Sequence, residues 1–129
     1  MTDIQDYNAG LPPSEQEICD LLASQIAKLL PDALGKVWHG HPVWFLGENP
    51  VVGYSLKKTG IELLFWSGQS FSEPGLKSVG KFKAAGISIT SQKSLVELPV
   101  ATWLNECQAI QWDYAHLAKK RVLEKLTDF

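Results

Sequence analysis

Cysteine and methionine are scarce in this sequence. Its 129 residues include two cysteines and one methionine. Cys19 and Cys107 are far apart and match no C-x-x-C or zinc-ligand spacing, which excludes a disulfide framework and the common zinc modules. Both lie among apolar residues at helical spacing. We therefore expect buried, reduced thiols and a cytoplasmic protein.

An excess of basic charge is also lacking. Twelve Lys and Arg residues face 14 Asp and Glu residues, for a net charge of −2. This balance gives no general attraction to nucleic acid or to anionic membranes. The apolar runs are too short to cross a bilayer, and the N-terminus has no basic segment followed by an apolar run. We expect neither a nucleic-acid partner nor a membrane partner.

Complete catalytic motifs are missing as well. The Ser and Gly residues between positions 67 and 86 match neither the G-x-S-x-G elbow nor a phosphate-binding loop. The sequence therefore favours a non-catalytic binding or chaperone-type domain. The alternative is an enzyme or a small-molecule-binding domain.

Tryptophan, by contrast, is abundant. The chain has five, and two of them lie with two histidines between positions 38 and 44. These rings predict either a corner of the hydrophobic core or a pocket between the sheet and the 67–80 loop. The pocket would span residues 38–44 and 66–72, with a lining of Trp38, His39, His41, Trp44 and Trp66.

The two neighbouring histidines also raise the question of a metal site. On a regular strand His39 and His41 share a face, with Cα atoms about 6.5–7 Å apart, near enough to hold one ion. Gly40 favours a bulge that would break this alternation. A metal site and structural histidines both remain open.

Hydrophobic periodicity predicts the secondary structure. Residues 1–13 are expected to form a polar leader, poorly ordered or lying on the surface, and residues 14–129 a single domain. A capping box of Ser14 and Glu17 would begin the first helix. The predicted elements are a helix at 14–30, a meander of antiparallel strands at about 36–39, 43–46, 51–57 and 61–66, a loop at 67–80, a strand near 83–90 and a helix at 99–120.

These elements predict an α+β fold. We expect a two-layer sandwich, with an antiparallel sheet packed against the N- and C-terminal helices. The expected core residues are Ile18, Leu22, Ile26, Trp38, Val52, Leu63, Phe65, Ile87, Trp103, Cys107, Ile110 and Tyr114.

Charge is unevenly distributed along the chain. Residues 1–32 contain six acids and one lysine, a net charge of −5. An acidic first helix is compatible with cation binding and equally typical of a solvated helix face. Lys77, Lys81, Lys83 and Lys93 have no acid between them, which indicates either an anion site or lysines that protect an edge strand.

Trp112 lies on the side of the predicted C-terminal helix opposite Trp103. It shares that side with His116 and Lys119. Such a face is covered either by another part of the chain, such as the tail, or by a second subunit in a homodimer.

Several stretches taken together resemble the YdhG-like family, a group of bacterial domains of unknown function. The stretches are Pro31-Asp32-Ala33, residues 37–44, Val52-Gly53-Tyr54, residues 60–66 and residues 110–114. The resemblance covers about residues 14–126, and His39 stands where most members have Gly directly after the Trp. It implies a compact α+β domain. Some relatives are described as frataxin-like intracellular iron chaperones, which implies a labile iron site formed by Glu15, Glu17, Asp20 and Asp32.

Overall fold

The computed structural model describes residues 3–80, 82–117 and 123–126, and these residues form an α+β fold. The helices are α1 (Asp3–Ala9), α2 (Pro13–Leu29), α3 (Gln92–Glu97) and α4 (Val100–Ala109). The strands are β1 (Leu34–Trp38), β2 (His41–Leu46), β3 (Asn49–Lys57), β4 (Gly60–Phe65), β5 (Lys77–Ser78) and β6 (Ala85–Ile89). They form one antiparallel sheet in the order β1-β2-β3-β4-β6-β5. The expected fold class and meander are confirmed.

The expected polar leader contributes a helix instead. Ile4 on α1 is 7% exposed and belongs to the core, and Tyr7 and Leu11 pack against it. Asn8 is 2% exposed and accepts a hydrogen bond from the Tyr54 hydroxyl at 2.7 Å. Ile4 and the buried Asn8 amide therefore attach this short segment to the domain. The polar sequence of residues 1–13 gave no sign of this attachment.

The helix expected at 14–30 is confirmed as α2, but its expected capping box is wrong. Proline at position 13 starts the helix, Pro12 is the N-cap, and no side chain caps it. The Ser14 hydroxyl donates to the Glu15 carboxylate instead, at 2.7 Å. The fixed φ of proline suits the first helical turn and leaves one fewer N–H group to satisfy. A capping box does occur at the start of α3, between Ser91 and Ser94.

The C-terminal helix is shorter than expected. Residues 99–120 were predicted as one helix, whereas α4 ends at Ala109 and Ile110 is extended. Beyond it, Asn49 accepts hydrogen bonds from the backbone N–H groups of Tyr114 and Ala115, at 3.0 and 3.1 Å. A side chain distant in sequence therefore holds this segment outside the helical conformation. The rest of the predicted helix, residues 118–120, lies outside the described residues.

The core lies between the helices and one face of the sheet. Eight expected core residues are buried: Ile18, Leu22, Ile26, Val52, Leu63, Phe65, Trp103 and Cys107. Four are only partly buried, which corrects the prediction: Trp38, Ile87, Ile110 and Tyr114. Ile110 and Tyr114 follow the end of α4, and Trp38 ends the edge strand β1. Among the helices described, none has the length and apolarity needed to cross a membrane.

The loop expected at 67–80 is partly ordered into regular structure. It contains a 3₁₀ turn at Gly68–Ser70 and the short edge strand β5, which pairs with β6. Glu106 on α4 anchors its middle. Its carboxylate accepts hydrogen bonds from the Ser72 backbone and hydroxyl, at 2.8 and 2.6 Å, and from the Glu73 backbone at 3.1 Å. Although desolvation opposes ionisation, these hydrogen bonds lower the pKa of Glu106.

Candidate functional site

The sheet has an outer face, opposite the face that packs on the core. Along β4 the buried residues Ile61, Leu63 and Phe65 alternate with partly exposed ones, because successive strand side chains point to opposite faces. On the outer face, Leu64 pairs with Gly53 on β3 and with Gly86 on β6. Two glycines therefore flank Leu64, which leaves room for larger neighbouring rings.

The outer face carries an aromatic patch, defined as Trp38, His39, Phe45 and Trp66. The ring centroid of Trp38 lies 4.3 Å from His39, 5.3 Å from Phe45 and 6.4 Å from Trp66. A Cβ at position 53 would lie 3.3 Å from Cζ3 of Trp66, so the Trp66 ring lies directly over Gly53. Trp38 and Trp66 both remain partly exposed. The patch therefore presents two indoles that the domain does not fully cover.

A lysine and a buried valine lie next to the aromatic patch. Lys36 on β1 places its Nζ 4.9 Å from the centroid of the Phe45 ring, a cation–π contact. Val43, whose Cγ2 also lies near position 53, is 0% exposed. The aromatic rings thus bury an aliphatic residue on a face that the main core does not reach.

The hairpin between β1 and β2 determines where His39 lies. Trp38 pairs with His41, so His39 and Gly40 form a two-residue turn, with φ values of +52° and +86°. Positive φ at both positions is typical of a type I′ hairpin turn. His39 is exposed, whereas His41 is partly buried on β2, with a buried Nδ1 that has no hydrogen-bond partner in the described structure. The two histidines do not share a strand face, because His39 is in the turn.

Trp44 does not join the expected pocket. It follows Val43 along β2 and points to the core face, where its ring centroid lies 5.6 Å from that of Tyr54. Trp38 and Trp66 lie on the outer face. A pocket lined by all five predicted residues is therefore not formed, since strand alternation divides them between two faces.

Three of the acidic residues implied by the family resemblance accept hydrogen bonds from neighbouring polar side chains. Asp20 accepts a hydrogen bond from Nδ2 of Asn8 at 3.1 Å, and Glu17 accepts one from Nε2 of Gln92 at 3.0 Å. Glu15 bonds Ser14, and Asp32 is exposed beyond the end of α2. Within residues 3–80, 82–117 and 123–126, no three His, Cys, Asp or Glu side chains come together in a metal-binding arrangement.

Trp112 is partly covered by other residues of the chain. Its backbone N–H donates to Ser67 Oγ at 2.9 Å and its indole N–H to Ser70 Oγ at 3.0 Å. Lys83 Nζ lies 4.8 Å from the centroid of the Trp112 ring. The backbone of Trp112 forms an isolated antiparallel β-bridge with that of Lys125. The chain therefore covers part of this side chain, which remains partly exposed.

His116, one of the two residues expected to share a face with Trp112, makes its own contact with Asp113. The His116 ring accepts or donates a hydrogen bond with Asp113 through Nδ1 at 3.0 Å, and its side chain is 52% exposed. Lys119 lies outside the described residues.

Three of the four lysines without intervening acids lie in the described residues, each in different surroundings. Lys77 is exposed on the edge strand β5, where a charge discourages pairing with another sheet. Lys83 stacks on Trp112, Lys93 is exposed on α3, and Lys81 lies outside the described residues.

Sequence reasoning missed three residues that shape these surfaces. Phe45 and Lys36 join the patch through a bulge between Trp44 and Phe45 and through pairing with β1. Asn49, 5% exposed, organises the C-terminal segment. Its only sequence signal is its place in a turn between two strands, where asparagine is common for local reasons. Comparisons with protein-family models, curated proteins and solved structures found no match.

Proposed function

We propose that this chain is a non-catalytic binding domain that recognises a partner protein through the aromatic patch. The observation that carries the proposal is the pair of partly exposed indoles, Trp38 and Trp66, with centroids 6.4 Å apart on the outer face. Exposed aromatic clusters mark interaction surfaces, and tryptophans are frequent hot spots in them.

The rest of the patch supports a protein as the partner. A sheet face with two flanking glycines presents a broad surface, whereas small-molecule sites are usually concave. Lys36 and exposed His39 provide polar groups at the edge of the patch. This arrangement suits a partner that places an apolar side chain against the indoles and polar groups around it.

Photo-cross-linking tests the proposal. A benzoyl-phenylalanine introduced at position 39 lies beside Trp38, and one at position 96 is a matched control, because Val96 is 76% exposed on α3. We expect a defined adduct in cells from position 39 only, and its loss with Trp38→Ala. The purified partner should bind that variant about 30-fold or more weakly, the effect of losing a hot spot. Equal labelling from both positions would contradict the proposal, and an adduct of twice the chain mass would identify a second copy.

We propose iron binding as a second function, supported by the net charge of −5 over residues 1–32 and by the family resemblance. Carboxylate oxygens are hard ligands and suit weak, labile iron binding. Fe²⁺ titration should show several-fold weaker binding in Glu17→Ala with Asp20→Ala than in the control pair Glu48→Ala with Glu97→Ala. Equal affinities would remove the acidic helix as the site. Loss on His39→Ala with His41→Ala would place the iron at the hairpin.

A further inference from the structure

A cleft of about 610 Å³ lies on the core side of the sheet, between α1, α2 and the β1–β2 hairpin. Small side chains keep it open: Ala23 and Ala27 on α2, and Gly35 on β1. Its size is within the range of ligand sites. Trp44 lines it, so the cleft is distinct from the aromatic patch on the outer face.

Trp44 places an unused donor in this cleft. The residue is 5% exposed, and its indole N–H donates to no acceptor among the described residues. A Cβ at position 35 would lie 2.6 Å from Nε1, so the N–H group is next to Gly35, which also lines the cleft. The one buried side-chain nitrogen or oxygen without a partner among the described residues is Nδ1 of His41, so the Trp44 N–H group reaches solvent and can donate to a ligand in the cleft.

Asp20 on α2 places an acceptor in the lining of the same cleft. Its Oδ1 accepts a hydrogen bond from Nδ2 of Asn8 at 3.1 Å. Oδ1 of Asn8 in turn accepts one from the Tyr54 hydroxyl at 2.7 Å. Burial raises the pKa of Tyr54, so this hydroxyl keeps its proton and the chain of hydrogen bonds persists. Oδ2 of Asp20 receives no hydrogen bond from the described residues. These hydrogen bonds thus orient the Asp20 carboxylate and leave its Oδ2 for a ligand.

The charge of the cleft selects the kind of ligand. Asp20 is its charged lining residue, and no lysine or arginine lines it in the described structure. Ile4 and the two alanines provide apolar walls. We infer that the cleft binds a small protonated amine that also carries a hydroxyl or carbonyl oxygen. The ammonium group pairs with Asp20, the oxygen accepts from Trp44 Nε1, and the carbon chain lies against the apolar walls.

Nuclear magnetic resonance tests this inference through the indole N–H signals. Trp44→Phe identifies the Trp44 signal, and amino alcohols from ethanolamine to 5-aminopentanol are then titrated. The matched probes are 1,3-propanediol and 3-hydroxypropanoate, which replace the ammonium of 3-aminopropanol by a neutral or an anionic group. We expect one amino alcohol in the series to shift the Trp44 signal saturably, and the neutral and anionic probes to leave it unchanged.

Two variants test whether the Asp20 carboxylate is the group that selects a positively charged ligand. Asp20→Asn keeps the side-chain size and an oxygen for Asn8, and because Asp20 is exposed we expect amine binding to weaken roughly twofold to fivefold. Asp32→Asn, an exposed acid outside the cleft, should leave affinity unchanged. The inference is overturned if no amino alcohol shifts the Trp44 signal, if the diol binds as well as the amine, or if both variants bind like the parent.

Discussion

The indole ring of Trp66 lies across Gly53, and no other residue type at position 53 leaves that space. An added Cβ would stand 3.3 Å from Cζ3 of Trp66, 3.2 Å from Cγ2 of Val43 and 2.7 Å from the Pro42 carbonyl oxygen. The last contact is with backbone, which cannot rotate away. One missing side chain on β3 therefore determines how Trp66 reaches Trp38.

Gly53→Ala should destabilise the domain by about 1–3 kcal/mol, the usual cost of overpacking. Urea unfolding measures the change. Gly10→Ala is the matched control, since a Cβ there would meet only ordinary contacts at 3.6 and 3.8 Å. Equal unfolding free energies for the two variants would contradict this account of the patch.

Asn49→Ala should release the segment after α4. Asn49 Nδ2 donates to Gln111 Oε1 and to the Trp112 carbonyl, both at 3.0 Å, and its Oδ1 accepts two backbone N–H groups. Losing these buried bonds should cost about 2–3 kcal/mol and speed amide exchange at Tyr114 and Ala115. Asn105→Ala, at an exposed position on α4, serves as the control. Unchanged exchange at both amides would show that Asn49 does not hold the segment.

Alkaline pH should destabilise the protein through its buried thiols. Burial raises the pKa of Cys107 from 9.0 to about 12 and that of Cys19 likewise. The folded state therefore keeps its thiols protonated where the unfolded state ionises. Their contribution to stability is complete below pH 9 and is lost as pH rises toward about 12.

Unfolding free energies measured across this pH range check the thiol effect. Cys107→Ala should flatten the decline relative to the parent, even though the smaller side chain lowers stability at every pH. Parallel curves for variant and parent would contradict the assignment.

Trp112→Phe should weaken the fold and leave the oligomeric state unchanged. The substitution removes the indole hydrogen bond to Ser70 and reduces the contact with Lys83, for a loss of about 1 kcal/mol. Sedimentation velocity and urea unfolding of the parent and the variant measure both effects. A parent dimer that dissociates on this substitution would instead restore Trp112 as an interface residue.

Local sequence patterns determined the fold class of this protein. The repeat of Ile18, Leu22 and Ile26 predicts α2 because three- and four-residue spacing places side chains on one helix face. The alternation in Gly60–Phe65 predicts a strand with one buried face. Turn residues between such segments predict the antiparallel meander. Each pattern depends on neighbours within a few residues, so sequence alone reveals it.

Tertiary structure decided which residues come together at the candidate sites. Trp44 and Trp66 are the same residue type, one within a strand and the other directly after one. The β2–β3 and β3–β4 registers nevertheless place them on opposite faces of the sheet. Asn49 binds the segment after α4 through the backbone N–H groups of Tyr114 and Ala115, 65 and 66 positions away in the chain. Tyr54 gives Asn8 a buried partner and so brings α1 into the domain. These outcomes depend on side chains that meet only after folding, and no local periodicity encodes them.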